Sequence, residues 1–107
     1  MRAGRLRQRV TIQQKDSPVS QNDYGEETPT WEKVATVWGS VEPLRGREFL
    51  EAMREGAEVT TRIVIRHREG IAPEMRAVVG SHTYDIVSAI EVEMRGREMQ
   101  LMCREVL

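Results

Sequence analysis

The chain has a single cysteine, two histidines, five aromatic side chains and no long hydrophobic run. One thiol, Cys103, makes no internal disulfide, and its place in an apolar run marks it as a small core residue. His67 and His82 stand fifteen positions apart with no second ligand at metal-site spacing. With one cysteine they fall short of any closed zinc pattern. No apolar stretch approaches membrane-spanning length. The opening Met-Arg-Ala-Gly-Arg-Leu-Arg is basic, but no apolar segment follows, so it does not read as a secretory signal. A soluble protein made in a reducing compartment, without membrane contact, is expected.

An excess of charge is lacking too. Sixteen basic residues face seventeen acidic ones, which argues against a dedicated high-affinity nucleic-acid binder. Gly46, Gly70, Gly80 and Gly96 are isolated turn glycines, not a phosphate-cradling loop. Asp16, Asp23 and Asp85 are the only aspartates, and none has the local context of a Ser–His–Asp set. Glu91 and Glu93 share one side of an expected strand; a solvated face is preferred there over a divalent-ion site. No catalytic residue, metal site or cofactor is therefore expected.

What the chain does have is segregated charge. Residues 1–15 carry Arg2, Arg5, Arg7, Arg9 and Lys15 with no acid, and residues 16–32 carry Asp16, Asp23, Glu26, Glu27 and Glu32 with no base. Such blocks suit surfaces that meet complementary partners, neighbouring copies among them, or simply two solvated stretches.

A chain of this length is one domain, 1–107. Period-two alternation predicts six strands: 8–14, 31–42, 59–68, 75–79, 82–93 and 98–106. In the second strand Trp31, Ala35, Val37 and Val41 fall on one face, and Lys33 and Trp38 break the pattern. Between the first two strands, residues 15–30 hold two prolines and a Tyr-Gly turn signal, which reads as a long loop or arm. Residues 45–55 predict one short helix with Phe49, Leu50 and Met53 as its apolar stripe, an Arg47–Glu51 ion pair and a stop at Gly56. The stripe is expected to pack on the sheet as core, leaving Arg45, Arg47 and Glu48 toward a partner. The fold class that follows is mainly β: a small antiparallel β-barrel of about six strands, with one short α-helix and a long loop after the first strand. Arg62, Arg66 and Arg68 line one face of the third strand. Few aromatics are placed to stack bases beside them, so a salt-linked sheet surface is preferred to an oligonucleotide site.

Several stretches together resemble the head-closure, or head–tail joining, proteins of long-tailed double-stranded DNA bacteriophages. They are Gly-Arg-Leu-Arg-Gln-Arg-Val-Thr-Ile-Gln at 4–13, Val37–Ala52 around Glu-Pro-Leu-Arg-Gly-Arg-Glu-Phe, Val59–Ile71, Tyr84-Asp85-Ile86, and Arg97 through Glu105. His67 departs from the aromatic that relatives commonly carry. The resemblance implies a non-enzymatic virion protein at the head–tail junction, assembled in the host cytoplasm. It implies a ring of six or twelve copies beneath the portal, attached directly or through an adaptor, that retains the genome and docks the tail. DNA would pass through without sequence-specific binding. A tail-completion or tail-terminator protein is the expected partner on the other side, and such a ring protein is also the alternative identity. A small nucleic-acid-binding barrel is the third reading. Under the resemblance, Val19, Asp23, Tyr24, Gly25, Glu26 and Glu27 become candidates for a channel or inter-ring loop. Arg5, Arg7, Arg9, Arg45, Arg47 and Glu48 become candidates for a partner interface.

Overall fold

Three β-branched residues in a row, Ile63-Val64-Ile65, form the centre of a strand that is buried on both faces. Around it the chain closes an antiparallel barrel. A computed structural model describes residues 7–15, 20–21, 27–28, 30–56, 58–91 and 98–106. The elements run β1 (Gln8–Lys15), β2 (Ser20–Gln21), β3 (Glu27–Thr28), β4 (Trp31–Pro43), α1 (Gly46–Arg54), β5 (Thr61–Arg66), β6 (Arg76–Val79), β7 (His82–Glu91) and β8 (Glu98–Val106). The barrel order is β1-β4-β5-β8-β7-β6, and β6 returns to pair with β1 through Thr11–Val78, Ile12–Ala77 and Gln13–Arg76. That last pairing removes the free edges that a six-stranded sheet would otherwise expose.

Inward residues from every barrel strand make one core. Val10, Ile12, Ile63, Ile65, Leu101 and Cys103 are wholly buried, with Ala77, Val79, Tyr84, Ile86 and Met99 packed beside them. Burying one such aliphatic side chain stabilises the fold by about 1.5–3 kcal/mol. The Cys103 thiol lies among these residues and donates to the Leu101 carbonyl at 3.3 Å. Desolvation, followed by the nearby Asp85 charge, pushes the thiol up to about 12.

Turn chemistry fixes the strand order on one side. Gly80-Ser81 joins β6 to β7 with Val79 opposite His82, and Gly80 takes φ +60°, the left-handed geometry a two-residue hairpin needs in first position. Ahead of β6, the Met75 amide donates to the Ala72 carbonyl at 3.3 Å across Pro73-Glu74, and Glu74 holds φ 78° where glycine is usual.

Three expectations change. The 15–30 segment is not loop throughout, because Lys15 belongs to β1 and β2 pairs with β3 in a separate two-stranded sheet. The helix is shorter than expected and buries none of its residues; Phe49, Leu50 and Met53 are 36%, 54% and 58% exposed. Its apolar stripe is therefore not core. The Arg47–Glu51 ion pair does not form either, and Glu48 reaches across to Arg62 instead.

The third change concerns β4. Ile12 lies opposite Ala35, but Gln13 lies opposite Lys33, so Val34 is an extra residue in β4. A bulge of this kind reverses the alternation. Val34 then packs against the core, as do Val37 and Val41 on the far side of the bulge, while Trp31 leaves the apolar face.

Candidate interaction surfaces

Among the described residues no three His, Cys, Asp or Glu side chains come together as a metal site. Each histidine sits against one carboxylate: His67 Nε2 lies 2.6 Å from Glu91 Oε1, and His82 Nδ1 lies 2.7 Å from Glu105 Oε1. Glu93, the expected companion of Glu91, lies outside the described residues.

Four arginines divide into two kinds. On the β5–β8 side Arg62 and Arg104 are matched by acids. Arg62 donates to Glu48 at 3.0 Å and to Glu42 at 3.4 Å, while its Nε is buried without a partner among the described residues. Arg104 donates to Glu58 at 2.8 Å and to Asp85 at 3.2 Å, and these hydrogen bonds, Glu58 first, hold it more firmly protonated. The salt-linked account of the sheet surface is thus observed at Arg62, the first arginine of the expected stripe.

On the opposite side, β6-β1-β4, the cations meet tryptophans. Arg9 is register partner to Trp38, and its guanidinium lies 4.6 Å from the ring centroid. Lys15 is register partner to Trp31, with Nζ at 5.8 Å, and Arg76 from β6 covers the same ring at 4.0 Å. The Arg76 Nε also donates to Gln13 at 2.6 Å. Arg9 and Lys15 are six residues apart on β1 and so share a face, which places their partners Trp38 and Trp31 together as well. Seven positions separate the two tryptophans, an odd number, and plain alternation would put them on opposite faces; the Val34 bulge brings them to one. Lys33 joins them as an exposed residue opposite Gln13.

The helix borders the third surface. Phe49, Met53 and Gly56 form one wall of an apolar groove of about 440 Å³, and Glu58, Val59 and Thr60 form the other. Glu48 is engaged with Arg62, whereas Leu50 and Glu51 border a separate groove with Arg47 and Arg54.

The expected site residues are dispersed over these surfaces. Val19, Asp23, Tyr24, Gly25, Glu26 and Arg5 lie outside the described residues. Glu27 stands in β3 opposite Gln21, and Arg7 is exposed just before β1. Arg9 belongs to the tryptophan face, Arg45 is the extended residue that enters α1, and Arg47 is exposed on it. Glu48 is the ion-pair partner of Arg62. Sequence reasoning missed Lys15, Lys33, Arg76 and Trp31 as members of one surface. The available signal was the break at Lys33 and Trp38, which is how a bulge disturbs alternation.

Comparison with known proteins adds the following. A family model described as phage head completion protein matches residues 1–106. The solution structure of protein SF1141 from Shigella flexneri 2a is 31% identical, with a TM-score of 0.69 over 98% of this chain and 96% of that one. A chain from the virion of a native gene transfer agent particle is 19% identical, with a TM-score of 0.61 over 95% of this chain and 96% of that one, a likeness of fold. Among curated proteins nothing matches the chain.

Proposed function

Because the chain belongs to the phage head completion protein family, we propose that it is a structural virion protein that forms a ring at the head–tail connector. It closes the portal channel after DNA is packaged and offers the surface on which the tail docks. The observation that carries this reading is the family match over nearly the whole chain. The surfaces agree with it: a closed barrel with Arg62 and Arg104 matched by acids and Arg9 and Arg76 stacked on tryptophans, and a helix that leaves Leu50 and Met53 uncovered, suits a part that works through protein contacts. A chain of similar fold belongs to the virion of a gene transfer agent, which agrees with a place in a particle.

In such a ring each subunit meets its neighbour through two different faces. The basic N-terminal block and the acidic 16–32 block are the complementary pair that this chain offers for that contact. The test adds purified protein to DNA-filled, tail-less heads that lack it and follows nuclease resistance of the genome. Stoichiometric binding with restored protection is the expected result. Binding to tail tubes with unchanged leakage from the heads would overturn head closure in favour of a tail-completion role.

A further inference from the structure

Two features of this chain carry opposite charge. The first is the outer face of β6-β1-β4. Arg9, Lys15, Lys33 and Arg76 lie on it with Trp31 and Trp38, and register places Thr11, Gln13, Thr36 and Val78 between them. Among the described residues no ion pair joins a carboxylate to any of these four cations, unlike Arg62 and Arg104; the acid beside them in register, Asp85 opposite Arg76, is engaged by Arg104. Trp38 is 52% exposed. Along β4 the two tryptophans are about 20 Å apart at ordinary strand rise. Exposed Trp and Arg together are what the energetic centre of a protein contact is made of.

The second feature is the β2–β3 ladder. It comprises only Ser20–Gln21 paired with Glu27–Thr28, hydrogen-bonded to no barrel strand. A two-stranded ladder alone is at best marginally stable in water, so it gains from a surface to lie on. The stretch that contains it, 16–30, holds four acids and no base.

We propose that the cation–tryptophan face of β6-β1-β4 is the seat for the acidic 16–30 arm of a second copy of this chain. The inference rests on the self-association part of the proposed function and names the two surfaces that would make it. Charge complementarity selects the arm, and the indoles hold the cations in place by stacking, which lowers the entropy lost on contact. A nucleic acid is the less suited occupant, because base stacking needs bare aromatic faces and here Arg9, Lys15 and Arg76 lie over the rings. An arm from one copy on the barrel of the next is a heterologous contact, which propagates around a ring.

The experiment follows sedimentation of the full chain up to millimolar concentration at low salt, with two charge-reversed variants. One carries Arg9→Glu and Lys33→Glu on the face, the other Asp23→Lys, Glu26→Lys and Glu27→Lys on the arm. The wild-type chain is expected to associate, and to do so less as salt shortens the screening length. Each variant alone is expected to associate at least about tenfold more weakly. Mixed together, acidic face and basic arm, they are expected to regain association with each other. Restoration on mixing also separates a second copy from an arm that folds back on its own barrel. A wild-type chain that stays monomeric, or variants that do not recover on mixing, would overturn the proposal. So would salt-dependent binding of a duplex DNA fragment that the face variant loses while self-association is unaffected. If heads are closed by wild-type protein but the charge reversals do not matter, only this inference fails. If the mixture recovers but heads leak, the functional reading fails instead.

Discussion

Gly39 is the tightest point in the barrel wall, and replacing it with alanine tests the packing directly. In register it lies between Gln8 of β1 and Ile65 of β5. A Cβ added there would stand 2.8 Å from Val10 Cγ2, 3.0 Å from Ile65 Cγ2 and 3.1 Å from the Val64 carbonyl oxygen. The first is closer than real Cβ contacts come. Neither Val10 nor Ile65 is the end of a flexible chain; both are wholly buried and β-branched, and Val64 presents backbone. Overpacking of this kind costs about 1–3 kcal/mol. Against it, Gly→Ala recovers about 0.4–1 kcal/mol by restricting the unfolded chain, because Gly39 is not in a left-handed conformation. The net expectation is a loss of about 1–2 kcal/mol. For a domain of this size that lowers Tm by about 5–15 °C. Circular dichroism melts of the wild-type and Gly39→Ala chains measure it. An unchanged or higher Tm would refute the reasoning, since it would mean that β1 and β5 can separate at no cost.

Three further outcomes follow from burial and exposure. Cys103 should resist thiol reagents in the folded protein at pH 8 and react once denaturant unfolds it. Its folded-state value of about 12 is above the ordinary 9.0, so the folded state keeps the proton longer than the unfolded chain. This group's contribution is therefore complete below pH 9 and is lost as pH rises toward 12, with a slope of up to about 1.4 kcal/mol per pH unit. Urea midpoints from pH 8 to 11 should fall less steeply in Cys103→Ala, and equal slopes would count against the assignment. Leu50→Ser with Met53→Ser should change stability by no more than about 0.5 kcal/mol each, because both side chains are exposed. A loss of several kcal/mol in urea titration would mean that the stripe is core after all.

Much of the barrel was legible from local pattern. Val10 and Ile12 alternate with Thr11 and Gln13, and Ile63 and Ile65, like Met99, Leu101 and Cys103, recur at every second position even though Val64 and Met102 between them are apolar; period two is a property of a single strand that needs no knowledge of its neighbours. Gly80-Ser81 likewise announced its hairpin, since the required backbone conformation belongs to the residues themselves. The charge blocks of 1–15 and 16–32 are linear facts as well. Of the candidate site, the sequence marked Arg9 and the acids of the arm, but not the surface that unites Arg9 with Lys15, Lys33, Arg76, Trp31 and Trp38. That surface exists because β4 carries one residue more than β1 across Ile12–Gln13, and because β6 returns to β1 from more than sixty residues away. Both are matters of pairing between distant segments, and no window along the chain contains them. The exposure of Phe49, Leu50 and Met53 has the same origin. Helical spacing made the stripe readable, but whether a barrel strand lies beneath it depends on where Pro43 and Gly56 release the chain, and only the tertiary structure decides that.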